Sequence, residues 1–106
     1  MTLKKFEETL KEFCPETGVH ELAAPKGVQR FVAWHCYGRR PVSGDNRNQM
    51  DLPKVQIDIV TPHRDDHLVD DVTAALWFMD LSYSVQSEGY DPDYNAYRTI
   101  LQLVVA

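Results

Sequence analysis

The sequence is poor in cysteine, with only Cys14 and Cys36 among its 106 residues. Two cysteines make neither a disulfide framework nor a zinc knuckle, so we expect reduced thiols. No apolar run approaches the roughly 20 residues that a membrane-spanning helix needs, and we therefore expect no membrane partner. Residues 1–13 contain no apolar signal segment, which favours assembly or function in the cytoplasm.

Basic side chains are also scarce, because 11 Lys and Arg stand against 16 Asp and Glu. Broad nucleic-acid binding needs Lys and Arg to replace phosphate counterions, so this balance disfavours it. The deficit is uneven: residues 1–50 carry eight basic and six acidic side chains, whereas residues 51–106 carry three and ten. Either both clusters are ordinary solvated surface, or the subunit is electrically bipolar and its copies pack head to tail.

Motifs for catalysis are missing as well. The chain has no glycine-rich phosphate loop with a lysine, and Ser43 lacks the flanking glycines of a nucleophile elbow. His35 and Cys36 are neighbours in a predicted strand and therefore point to opposite faces of it. We expect a protein without enzymatic activity and without a cofactor.

What the sequence does contain is a regular succession of helix and strand patterns. Apolar residues recur at helical spacing from Leu3 to Phe13, Thr2 is suited to cap this first helix, and Pro15 ends it. Residues 15–27 hold two prolines and two glycines, which predicts a connector with one helical turn. Hydrophobic residues make up 43% of the chain, an ordinary globular value, and the length allows one domain over residues 1–106.

A first hairpin is predicted from residues 28–37 and 54–60. Both faces of the first strand are largely apolar, so we expect it to be covered on both sides, and the second strand alternates regularly. The polar residues 38–53 would form a long flexible loop, and loops of that length are usually functional or disordered. We expect this loop to contact a partner through Arg39, Arg40, Asp45 and Arg47.

A second helix is predicted to open at Thr61 and Pro62, as N-cap and first-turn proline. Its buried stripe is Leu68, Val72, Ala75, Leu76 and Met79. Residues 82–88 and 95–105 then form a second hairpin around a turn at 89–93. The element order is therefore α-ββ-α-ββ, an α+β domain whose antiparallel sheet carries two packed helices.

One alternative is a metal site on the second helix. His63 and His67 are four residues apart and would share a helical face, and Asp70 or Asp71 could add a third ligand. Arg64 occupies the place of the glutamate in the H-E-x-x-H pattern, which departs from a zinc protease.

The order of these segments resembles a known family. A strand over 31–37, a polar loop with Gly44-Asp45-Asn46 and a strand over 55–61 form the first half. An Asp-rich helix, a tyrosine-bearing strand and the turn at 90–93 before a final apolar strand form the second. Over residues 28–106 this is similar to the tail-terminator, or tail-completion, proteins of long-tailed phages and prophages, often called minor capsid or tail-component proteins.

The resemblance implies a non-enzymatic structural protein in the virion tail or neck. Such proteins end tail-tube growth as a ring, typically hexameric, and join the tail to the head connector, so the implied partners are tail-tube protein, connector protein and further copies of this chain. DNA would pass through without specific binding. Acidic side chains would then line the lumen or a subunit contact: Asp65, Asp66, Asp70 and Asp71. The alternatives are the metal-binding domain or enzyme, and a small adaptor that binds a protein through residues 38–53.

Overall fold

Two helices and five strands follow one another along residues 1–41 and 51–106, the part of the chain that the computed structural model describes. The elements are α1 (Leu3–Phe13), β1 (Gly18–Glu21), β2 (Phe31–Pro41), β3 (Asp51–Thr61), α2 (Leu68–Phe78), β4 (Tyr83–Asp91) and β5 (Ala96–Val104). The strands form one sheet in the order β1-β2-β3-β5-β4. The predicted α+β class is confirmed.

The predicted element order is wrong in one place, because residues 18–21 form strand β1 within the expected connector. This strand pairs in parallel with β2, from Gly18 opposite Phe31 to Glu21 opposite Trp34. The sheet is therefore mixed, and the prediction of a wholly antiparallel sheet is also wrong. Val19 is buried in the core, which explains why so short a segment adds to the sheet edge.

Strands β2 and β3 pair over a longer stretch than the sequence predicts. Their register runs from Phe31 opposite Val60 to Pro41 opposite Asp51, with an irregularity between Cys36 and Gly38 that resembles a β-bulge. Pairing resumes after the bulge, so residues 38–41 and 51–53 belong to strands instead of to the predicted loop of 38–53. The remaining part of that predicted flexible loop, residues 42–50, lies outside the described residues.

Helix α1 forms as predicted. The Thr2 hydroxyl accepts a hydrogen bond from the Lys5 amide at 3.1 Å, which caps the first turn. Phe6 and Leu10 are fully buried, and the Phe6 ring meets the Trp34 ring edge-on at 5.7 Å between centroids. The helix is thereby fixed to the sheet by its apolar stripe.

Helix α2 begins at Leu68, six residues after the predicted Pro62 start. Thr61 stays in β3, where it pairs with Tyr97 of β5, so strand pairing overrides the local preference of Thr-Pro for a helix start. The predicted buried stripe is confirmed for Leu68, Val72, Ala75 and Leu76. Neither helix in the described chain is long and apolar enough to cross a membrane.

The opposite face of the sheet is only partly covered. Phe31 and Ala33 pack with Val60, Ala96 and the half-buried Ala24 in a second, smaller apolar cluster. The expected two-sided cover of β2 therefore holds for its first half, whereas Tyr37 near its bulge is exposed. The second hairpin also forms, with β4 extending to Asp91, beyond the predicted end at residue 88.

Candidate partner-binding surface

The face of the sheet that carries the helices is left bare over β4. Tyr83 and Val85 lie opposite Leu103 and Leu101 of β5, so all four side chains share this face. The two leucines are buried, but Tyr83 is 42% and Val85 52% exposed. Helix α2 packs over β3, which leaves these apolar side chains of the edge strand in solvent.

Helix α2 adds an aromatic wall beside this strand. Trp77 is 87% exposed although it lies on a helix of the core. Together with Thr73 and Asp80 it borders a depression of about 680 Å³ that reaches Tyr83. A large aromatic side chain in solvent beside an uncovered strand is typical of an interaction surface, since monomers rarely expose contiguous apolar patches.

The depression continues past the start of α2 into a second hollow of about 580 Å³. Its lining includes the exposed carboxylates of Asp65, Asp70 and Glu88, and also Arg64. The rings of Tyr90 and Tyr97 meet edge-on there at 5.7 Å. We call these two hollows, which share Asp70, the α2–β4 groove; it is bordered by Asp65, Asp70, Trp77, Tyr83, Glu88 and Tyr90, and Val85 lies on the same face of β4 as Tyr83.

An ion pair anchors the segment that leads into α2. Arg30 donates from Nε and Nη2 to the two carboxylate oxygens of Asp66, each at 2.7 Å, and from Nη1 to the Thr17 hydroxyl. Asp66 also accepts from the Leu68 amide at 2.9 Å. The Arg30 hydrogen bonds lower the pKa of Asp66 to about 2, and the Leu68 amide adds to this effect. Asp66 thus fixes where α2 starts.

A cysteine, a histidine and an aspartate border one small hollow between the two helices. His67 Nδ1 lies 2.7 Å from an Asp71 carboxylate oxygen, and Cys14 lines the same hollow. Burial, and next the charge of Asp71, raise the pKa of the Cys14 thiol to about 11. The thiol is therefore protonated at neutral pH, and a protonated thiol is a poor nucleophile.

The structural basis of the metal-site alternative is wrong. His63 lies in the turn after β3 and His67 is the residue before α2, so the two histidines do not share a helical face. Within residues 1–41 and 51–106, no group of three or more His, Cys, Asp or Glu side chains is placed to hold a metal ion.

The predicted site residues separate into distinct groups. Arg39 and Arg40 are exposed on β2, whereas Asp45 and Arg47 lie outside the described residues. Among the predicted acidic residues, Asp65 and Asp70 border the α2–β4 groove. Asp66 is paired with Arg30 and Asp71 with His67, so these two serve the fold.

The sequence analysis did not identify the aromatic part of the groove. It assigned no role to Trp77. The available indication was a Trp-Phe pair at the end of a helix whose stripe was already complete, followed by Tyr83 and Val85. Their exposure depends on where α2 crosses the sheet, which is a tertiary property.

No protein-family model matches the chain, and no curated protein sequence matches it either.

Proposed function

We propose that this chain is a non-enzymatic structural protein of a long-tailed phage or prophage. It would end tail-tube growth as a ring and join the tail to the head connector. The observation that carries the proposal is the α2–β4 groove, an exposed apolar surface suited to a protein partner.

Two further features support an assembly role. Strand β4 is an edge strand of nine residues, nearly all exposed, and exposed edges are surfaces on which chains pair. The β2–β3 hairpin, with strands of 11 residues each, contributes to a molecule 48 Å long and 26 Å wide. Different surfaces at different places on one subunit are what a closed ring with head-to-tail contacts requires.

The test is assembly of the purified protein with tail-tube protein, followed by light scattering and negative-stain electron microscopy. We expect rings, and tubes that carry one ring at an end and stop growing. The matched control is tube protein alone, which should give tubes of uncontrolled length. Monomers at every concentration, with no rings even in the presence of tube protein, would contradict the proposal.

A protein-binding adaptor is the second candidate, favoured by the same exposed Trp77. An adaptor would bind one partner as a monomer, whereas a tail terminator must bind copies of itself. The oligomeric state measured in the experiment above therefore separates the two functions.

A further inference from the structure

We propose that the α2–β4 groove of one copy binds the basic end of the β2–β3 hairpin, residues 38–41 and 52–54, of a second copy. The occupant is defined by charge and by apolar side chains on the described part of the hairpin. This inference rests on the proposed function, because it names the contact that would close the ring.

The groove combines an apolar floor with carboxylates that are not in ion pairs. Within the described part of the chain, Asp65, Asp70 and Glu88 form no ion pair, in contrast to Asp66 and Asp71. Residues 64–91 contain seven acidic side chains and one basic side chain, Arg64. A basic partner with some apolar surface is therefore the complementary ligand.

The basic end of the hairpin, residues 38–41 and 52–54, combines positive charge with apolar side chains. Arg39 and Arg40 are exposed, and Lys54 lies opposite Gly38 on the neighbouring strand. Tyr37 is exposed beside them and Leu52, opposite Arg40, is half-buried. Arg40, Lys54 and Leu52 share one face of the hairpin and Arg39 lies on the other, so positive charge is present on both faces and Leu52 and Tyr37 add apolar contact area.

Within one copy, the basic end of the hairpin cannot reach the far end of the groove. Arg40 lies opposite Leu52 at one end of β3, and the carboxylates of Asp65 and Glu88 border the hollow beside Thr61 at the other end. Nine residue steps of strand separate Leu52 from Thr61, which is about 30 Å. Arg40 borders a shallow hollow with Asp80 and Tyr83 at the near end of the groove in the same copy, so the contact between copies is assigned to the far end of the groove.

Surfaces at opposite ends of a subunit make a heterologous, head-to-tail contact when copies meet. Repeating that contact by rotation gives a ring, in which every groove is occupied by the next hairpin. The uneven charge of the chain favours this head-to-tail orientation. It opposes the reverse orientation, in which like charges would meet.

The test is a charge swap between two variants. The double substitution Arg39→Glu with Arg40→Glu reverses the charge of the hairpin end. The double substitution Asp65→Lys with Glu88→Lys reverses the charge of the groove. Self-association of each variant alone should weaken about tenfold or more, because like charges meet at every contact. An equimolar mixture should recover the wild-type affinity, since each contact is then either native or fully swapped. Sedimentation velocity measures all three samples.

Matched controls carry the same charge changes on the exposed face of α1. Lys4→Glu with Lys5→Glu changes the net charge by as much as the hairpin variant does, and Glu8→Lys with Glu12→Lys by as much as the groove variant does. Both controls should associate like the wild type. Circular dichroism and the midpoint of thermal unfolding should be close to wild-type values for every variant, because all the substituted side chains are exposed.

The outcomes separate this inference from the proposed function. Rings that form equally well in both swapped variants, or a mixture that does not recover, would overturn the inference and leave the proposed function standing. If the groove variant loses tube binding but still associates with itself, the groove binds tail-tube protein. That outcome would also overturn the inference. Swap-dependent rings that fail to stop tube growth would support the inference and contradict the proposed function. A wild-type chain that never self-associates contradicts both.

Discussion

At the scale of single residues, the Arg30–Asp66 pair makes stability depend on acid pH. The folded pKa of Asp66 is about 2 against an ordinary value of 3.8. The stabilisation is therefore fully present above about pH 4 and is lost as the pH falls through about 2. We expect it to contribute about 1–2 kcal/mol, discounted for partial solvent screening.

Asp66→Asn should remove this contribution. The free energy of unfolding in urea should fall by about 1–2 kcal/mol at pH 7, because a neutral amide replaces a carboxylate in a bidentate ion pair. Between pH 4 and pH 2 the variant should lose less stability than the wild type does. Asp65→Asn is the matched control, since Asp65 is exposed and should change the value by less than about 0.5 kcal/mol. Equal acid sensitivity in variant and wild type would argue against the role of the pair.

The two thiols should differ in reactivity. Cys14 is buried with a pKa of about 11, whereas Cys36 is exposed on β2. Ellman's reagent at pH 8 should therefore modify one thiol rapidly in the folded protein and both after denaturation. Cys36→Ser should abolish the rapid phase and Cys14→Ser should leave it unchanged. Rapid modification of Cys14 in the folded Cys36→Ser variant would contradict its burial.

At the scale of elements, helix α2 carries one residue that we assign to binding and a neighbouring one that stabilises the fold. Trp77 is exposed, so Trp77→Ala should change the free energy of unfolding by less than about 0.5 kcal/mol. The same change should weaken binding of a protein partner at the near end of the groove, because exposed aromatic side chains often supply much of an interface's binding energy. Leu76→Ala is the contrasting variant: Leu76 is fully buried, and its truncation should cost about 2–5 kcal/mol of stability. Chemical unfolding and sedimentation velocity measure the two effects separately.

Elements with local determinants could be predicted from the sequence. Thr2 caps α1 and the apolar stripe of each helix packs as its spacing indicates. Strand β1 could not be predicted, because its four residues are held by parallel pairing with a strand some ten residues later. The start of α2 was misplaced because Thr61 and Pro62 satisfy a local rule, while the pairing of Thr61 with Tyr97 keeps it in β3. The α2–β4 groove depends on tertiary placement and on no motif.

At the scale of the whole molecule, the exposed Arg39 and Arg40 lie at one end of β3, and the carboxylates of Asp65 and Glu88 border the hollow at its other end. Interactions between exposed charges are largely screened beyond the Debye length, which is about 10 Å at 0.1 M salt and shortens as the salt concentration rises. Raising the salt concentration from 0.05 to about 0.5 M should therefore weaken self-association of the wild type several-fold. The swapped mixture should show the same dependence, and an association that strengthens with salt would indicate a purely apolar contact.

The central claim is that this chain assembles into a closed ring that stops tube growth. Native mass spectrometry of the purified wild-type protein, alone and with tail-tube protein, tests it most directly. The account predicts one closed oligomer of defined size, and no ladder of open chains. A monomer peak alone, unchanged by concentration or by tube protein, would contradict it.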